Sequence, residues 1–307
     1  MDGLQVLEVA DPTPAAGEVR VHVHASSLNS ADAKVLRGDF AARFIHAKVD
    51  PIIPGFDFSG EVESVGEGAD LEVGTMVFGH LPYGSATRQG AFAELITISA
   101  SDVAAKPDDV PHTVAASAAT VGLTALQAFR KAELTGVPRV LVVGASGGVG
   151  SLAIGIAKRL GYHVTGVCSG YAIDFVRSLG ADEVVDRTAS DPFSDAEPYA
   201  AIFDTTGLYS FSACKRVLAS DGTFVTTLPS VGFVSGKLQC LFSKQRCEVI
   251  VVQSQRADLD QLGVWMSDGL EVPIFSEADA RDAAKSFARF SEGGVLGKIA
   301  IRVIDGL

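Results

Sequence analysis

The stretch RVLVVGASGGVG, residues 139–150, decides the fold class. A short apolar run rich in β-branched residues ends at Gly144. A glycine turn follows, and GVGSLAIGIAKRLG, 148–161, then reads as a helix. Strand, glycine turn and helix in that order, with a second strand, HVTGVCS, about 15 residues on, form a dinucleotide-binding unit. Gly147 and Gly148 let the backbone approach a pyrophosphate closely. The N–H groups at the helix start, from Ser146 to Val149, point at it and the helix dipole adds a favourable field. A tight turn that binds nothing is the competing reading.

Outward from this unit the pattern repeats. YAIDFVRSLGA is helical and EVVD, 183–186, is a strand. After Pro198 come YAAIFDTTG, a helix over LYSFSACKRVLASDG (208–222), then TFVTTL and CEVIVVQSQ. The strands are continuous apolar runs rather than alternating ones, which marks a parallel sheet buried on both faces with helices as crossovers. Residues 112–133 are Ala-rich and helical. A helix around 279–290 and the strand GKIAIRV, 297–303, close the chain. Residues 140–157 are uncharged, the length of a marginal membrane span, but five glycines interrupt them; strand, turn and helix face explain the run better.

Residues 1–110 read as β. EVRVHVH, 18–24, sets Val19, Val21 and Val23 on one face and Arg20, His22 and His24 on a polar, solvated one. Glycine and proline punctuate the rest into short strands, as in a partly open barrel or sandwich.

The second strand of the dinucleotide unit usually ends in an acid when the ribose 2′-hydroxyl of NAD is held. Here VTGVCSGY has none, and Ser169, Gly170 and Tyr171 leave room for a 2′-phosphate. The expected cofactor is therefore NADP(H). Arg187, after EVVD, either forks onto that phosphate or is a solvated surface arginine.

With 307 residues, the chain holds about two domains. At 47% hydrophobic and 20% charged it fills a core. The 25 Lys and Arg against 37 Asp and Glu give a net charge of −12, which argues against a nucleic-acid partner. The four cysteines, 168, 214, 240 and 247, lack the spacing of a metal knuckle or disulfide framework and suit buried thiols in a reducing compartment. With no signal-peptide pattern at the N-terminus, the expected setting is cytoplasmic, with no membrane partner.

The chain resembles the zinc-independent quinone oxidoreductases, the zeta-crystallin-like branch of the medium-chain dehydrogenase/reductase superfamily. The resemblance runs through SSLNSADAKVLRGDF (26–40), IPGFDFSGEVESVGEG (53–68), GAFAEL (90–95), AAKPDDV (104–110), ATVGLTALQAF (119–129), the glycine turn, RSLGADEVVD (177–186) and GKIAI (297–301). It implies an α/β chain. A mostly-β GroES-like substrate domain, 1–111 completed by 270–307, accompanies a doubly wound Rossmann domain, 112–269, with the cofactor in the cleft between them. It places Thr124 at the cofactor, and Leu228, closing TFVTTL, joins the cofactor set. Relatives form a homodimer by pairing a late edge strand, here CEVIVVQ, 247–253.

The zinc-dependent relatives carry Gly-His-Glu where this chain has Gly55-Phe56-Asp57, and a cysteine motif where it has Leu28-Asn29-Ser30. Both zinc sites are thus expected to be missing, and no metal is assigned. Relatives also begin with a short strand before the glycine matching Gly3, so that strand is trimmed or missing here. Without a Lewis acid, hydride can still pass to a quinone or to the β-carbon of an enone, provided donors polarise the carbonyl and a proton follows. The resemblance puts Asn29 and Asp32 in the loop under the nicotinamide ribose; a loop-capping pair is the rival reading. Tyr83, in LPYGSATRQG, is the best-placed phenol to donate to the carbonyl. The expected function is NADPH-dependent reduction of a small quinone or enone. An enoyl-thioester reductase and a non-catalytic NADPH-binding protein remain the alternatives.

Overall fold

The computed structural model describes residues 4–136, 138–194, 197–228 and 231–303. Gly3, where the sequence points to a missing first strand, lies outside them. The chain forms two compact units, 1–123 with 253–307, and 124–252.

The first unit starts with β1 (Glu18–Ser27), α1 (Ser30–Arg37), β2 (Asp57–Val65), β3 (Met76–His80), β4 (Leu95–Ser99) and β5 (Val103–Ala105). The long α2 (His112–Ala132) begins in it and ends in the second. The second unit holds β6 (Arg139–Val143), α3 (Gly148–Arg159), β7 (His163–Cys168), α4 (Ile173–Ser178), β8 (Glu183–Asp186), β9 (Tyr199–Asp204), α5 (Phe211–Cys214), β10 (Leu218–Thr226), α6 (Val231–Cys240) and β11 (Arg246–Val249). The chain then returns to the first unit as α7 (Arg256–Ser267), β12 (Ile274–Asp279), α8 (Ala283–Ser291) and β13 (Lys298–Arg302).

In the first unit seven strands form one sheet, ordered β12-β13-β1-β2-β3-β5 with β4 also on β1. The alternation in β1 works as its sequence requires. Val19, Val21 and Val23 are buried and pack with Phe56, Phe58, Val77 and Ile96. The opposite face is not simply solvated. His22 and His24 are half-buried, and His24 Nδ1 lies 3.2 Å from His112 Nε2. The expectation of surface histidines is corrected accordingly. The β13 strand pairs antiparallel with β1, so the carboxyl-terminal strand lies beside the first.

In the second unit six parallel strands run β11-β10-β9-β6-β7-β8. This is the doubly wound order, whose direction of build-up reverses between β6 and β9. Leu141, Val143, Val167 and Ile202 are buried among Phe211 and Phe224.

Three boundaries differ from the sequence reading. The expected helix over 208–222 shrinks to α5. Ser210 caps it by accepting Ala213 N–H, the turn stops after Cys214, and Leu218 already pairs with Tyr199 in the sheet. The edge strand is 246–249 rather than 247–253, because the chain leaves the sheet after Ile250 N–H bonds Thr226 O. The units divide at 123/124 and 252/253, not at 111/112 and 269/270. Helix α7 goes with the first unit because Arg256 donates to Val103 O at 3.0 Å and pairs with Asp70 at 2.7 Å.

Candidate active site

In the second unit the carboxyl ends of the strands gather most of the expected cofactor residues. Ser146 to Val149 form the turn between β6 and α3, with Gly147 as N-cap. The first helical bond is Ser151 N–H to Gly147 O, at 2.8 Å, so the three N–H groups before it have no helical acceptor. Steric demand divides the glycines. A Cβ on Gly150 would stand 2.1 Å from Gly144 O, so only glycine fits the turn. A Cβ on Gly147 would meet only that oxygen, at 3.5 Å, so its outer side is open to a ligand. An open glycine surface above unpaired helix N–H groups fits a pyrophosphate. Asp204, at the end of β9, is fully buried and takes the N–H groups of Thr206, Gly207 and Tyr209, which fixes the loop facing the turn.

Ser169, Gly170 and Tyr171 follow β7 in a single 3₁₀ turn, and Tyr171 is exposed. Arg187 follows β8; its N–H bonds Cys168 O and its side chain is exposed. The sequence reading counted no acid beside this turn, but folding supplies one. Asp186 reaches across from β8, and a Cβ on Gly170 would lie 2.7 Å from its Oδ2. Hydrogen bonds from Thr188 and from the Gly170 N–H hold this carboxyl below its ordinary value. Leu228 follows β10 and is half-buried. Thr124 is buried in α2.

The expected catalytic residues all lie in the first unit, in or beside a buried polar network around Asp57. Asn29 caps α1. Its N–H donates to Asp32 Oδ2 at 2.7 Å, and Gly55 N–H donates to Asp32 Oδ1 at 2.9 Å. Asp32 therefore braces two chain segments, as in the loop-capping reading. Asn29 Nδ2 donates to Asp57 Oδ2 at 2.8 Å, while Lys298 Nζ donates to Asn29 Oδ1 at 2.6 Å, Leu28 O at 2.9 Å and Asp57 Oδ2 at 3.1 Å. Ser27 Oγ gives a further bond to Asp57 at 2.5 Å. Thr120 donates to Asp57 Oδ1 through its N–H at 2.8 Å and through its hydroxyl. His80 Nδ1 lies 2.8 Å from that hydroxyl. Tyr83, half-buried, sets its ring edge-on to Phe56 and to His80, with centroids 4.7 Å away in each case.

Burial sets the protonation of this network. Burial pushes Asp32 up to about 7 against the backbone donors, with Asp57 adding to the rise. Burial also opposes the charge on Asp57, but Lys298 and the donors Ser27, Thr120 and Asn29 outweigh it and hold that carboxyl below its usual range. His80 is lowered to about 4 by burial. The Tyr83 phenol is raised well above its usual value by burial, then by Asp32 and Asp57. At neutral pH the wall around Tyr83 thus offers a protonated phenol, a neutral imidazole and a carboxyl near its midpoint.

Sequence reading did not single out Lys298, Asp57, Thr120 or His80. A lysine at the head of the apolar run in GKIAI and an aspartate between Phe56 and Phe58 were the available signals.

The alcohol dehydrogenase GroES-like domain family matches residues 15–108, and the zinc-binding dehydrogenase family matches 179–301. The chain is 30% identical to the chloroplast envelope quinone oxidoreductase homolog of Arabidopsis thaliana, over 97% of this chain and 94% of that one. It is 31% identical to the trans-enoyl reductase pgmF of Aspergillus terreus, over 93% and 86%. The structure of the quinone oxidoreductase from Coxiella burnetii superposes with a TM-score of 0.88 at 27% identity, covering 99% of this chain and 96% of that one. With a GroES-like unit, a doubly wound nucleotide-binding sheet and relatives matching nearly end to end, the chain belongs to the quinone oxidoreductase-like branch of the medium-chain dehydrogenase/reductase superfamily, a nicotinamide-dependent oxidoreductase.

Proposed function

We propose that this protein reduces a quinone or an α,β-unsaturated carbonyl with NADPH, by direct hydride transfer and without zinc. The single observation that carries this reading is the make-up of the polar wall: Tyr83, a protonated phenol, packs on Phe56, a side chain with no donor atom at the position where zinc-dependent relatives have a ligand. Such a wall suits an acceptor whose enolate or hydroquinone anion is already a modest base.

Ser146 to Val149 would hold the pyrophosphate, with Ser169 to Tyr171, Arg187, Thr124 and Leu228 around the rest of the dinucleotide. Bound there, the reduced cofactor supplies the hydride. Tyr83 donates its phenolic proton to the acceptor oxygen. Asn29 and Asp32 fix the loop at the nicotinamide ribose, and the near-neutral Asp32 carboxyl holds a proton close to Tyr83. NADPH is favoured because Arg187 is exposed beside the Ser169–Tyr171 turn, while Asp186, the nearby acid, is occupied by Thr188 and Gly170.

NADPH oxidation screened against quinones, enals, enones and enoyl thioesters tests the reading. Deuteride from labelled NADPH should appear at the β-carbon of an enone product. Turnover confined to enoyl thioesters would favour the second reading, for which the likeness to a trans-enoyl reductase speaks. Label that never leaves the cofactor would sink both.

A homodimer formed across the edge of the second sheet completes the proposal. Among the described residues the edge strand β11 is hydrogen-bonded on one side only, to β10. On and just after the neighbouring α6, Val234, Leu238, Leu241 and Phe242 are exposed, Phe242 by 93%. An open edge beside an apolar surface is a hazard unless it is paired.

A further inference from the structure

One buried atom of the Asp57 network has no partner among the described residues. His80 is fully buried at the end of β3, and its Nε2 makes no hydrogen bond to any of them. Buried polar atoms in folded proteins are nearly always partnered, so this nitrogen calls for an explanation.

The network fixes which kind of partner is missing. Asp57 is surrounded by donors alone: Ser27 Oγ, Asn29 Nδ2, Lys298 Nζ and Thr120 N–H. It is therefore a carboxylate, and an acceptor only. The Thr120 hydroxyl gives its proton to Asp57. Its oxygen must then accept from His80, so the imidazole proton resides on Nδ1. Burial keeps this ring neutral at pH 7. Nε2 is consequently a bare lone pair, and its missing partner is a donor. The ring carrying it packs edge-on against Tyr83, the phenol assigned above to the substrate carbonyl.

We propose that His80 is a ligand-binding residue whose Nε2 accepts a hydrogen bond from a ligand hydroxyl. This rests on the reading of the reaction given above. Two hydroxyl sources fit: the ribose on the nicotinamide side of the cofactor, and the phenolic hydroxyl of a hydroquinone product. A bare quinone or enone oxygen does not fit, since two lone pairs repel. Lys298, Asp57 and Thr120 act here as positioning residues that set the tautomer.

His80→Asn is the informative variant. An asparagine Nδ2–H replaces the Nδ1–H bond to Thr120 but leaves nothing at Nε2. NADPH and a cofactor analogue lacking the nicotinamide-ribose hydroxyls are titrated by fluorescence against both proteins. A benzohydroquinone and its dimethyl ether are compared as inhibitors. The expected result is a loss of about three- to tenfold, the size of one hydrogen bond. A loss on NADPH that is absent with the deoxy analogue identifies the ribose. A loss on the hydroquinone that is absent with the ether identifies the product. Changes below twofold in all four titrations overturn the proposal and leave a buried water at Nε2. In case the variant does not fold, ¹⁵N NMR of the wild-type imidazole decides independently. Nε2 should be unprotonated and should shift when NADPH or the hydroquinone is added. A protonated Nε2, or one that ignores both, overturns the inference. NADPH binding without turnover of any acceptor would sink the reaction assigned above but not this hydrogen bond.

Discussion

Lys298 Nζ lies 2.6 Å from Asn29 Oδ1, joining residues 269 positions apart in the chain. The same ammonium lies 3.1 Å from Asp57, and both charges are almost wholly buried. Lys298→Met would leave Asp57 charged and unpaired in the core, at a cost of about 3–5 kcal/mol. The double variant Lys298→Met/Asp57→Leu should recover most of that. Urea unfolding of the three proteins measures it. A single variant as stable as the wild type would show that the pair contributes nothing.

The glycine turn makes a paired prediction. Gly150→Ala forces a Cβ to 2.1 Å from a backbone oxygen, so the protein should be poorly folded. Gly147→Ala meets nothing nearer than 3.5 Å, so its melting temperature should hold. The added methyl would nevertheless stand on the open face of the cradle and weaken NADPH binding. If Gly147→Ala binds NADPH as the wild type does, the pyrophosphate does not lie on that face.

Stability should fall on acidification between about pH 6.5 and 4. In this window unfolded His80 and His112 carry protons, whereas burial lowers both to about 4 in the folded chain. Asp32 opposes them: burial raises it to about 7, so the folded chain keeps a proton that the unfolded chain has lost. Two sites against one leave the unfolded state with one proton more, and a falling pH therefore favours it. Asp32→Asn should steepen the acid loss and His112→Gln should flatten it, as read by the denaturation midpoint against pH. Stability that rises on acidification contradicts this assignment.

Arg187→Ala should weaken NADPH by roughly ten- to a hundredfold and leave NADH within about twofold, the difference a charge-assisted phosphate bond makes. Fluorescence titration of both cofactors reads it directly. Parallel losses for the two would place Arg187 away from the 2′-phosphate.

Light scattering at micromolar concentration should give twice the 31.9 kDa of one chain. Phe242→Glu, on the exposed apolar surface beside β11, should shift this toward the monomer. A wild-type monomer would contradict the edge-pairing proposal.

The second unit was the more legible in the sequence. Apolar runs in β6, β7 and β9 and the steric demands of Gly144 to Gly150 are local signals, and the sheet follows from them. The Asp57 network was not legible in that way. Its members, at 27, 29, 57, 80, 120 and 298, come from five separate segments, and each residue alone reads as an ordinary polar side chain. Asp186 shows the same limit. Parallel pairing of β7 and β8 brings it beside Gly170, 16 positions away, where the sequence seemed to leave no acid. The helix misread over 208–222 had helical composition, but pairing of Leu218 with Tyr199 overrode it.

The pairing of β13 with β1 also bears on synthesis. A ribosome releases the whole second unit, an unbroken run of chain, well before Lys298 emerges. Until then the nascent first sheet lacks its last two strands, the Ala25–Ser27 end of β1 is an open edge, and Asp57 lacks its buried counter-charge. A chain stopped between residues 252 and 298 is left in that state, with a finished nucleotide-binding half and a GroES-like half open to misassembly and to proteolysis.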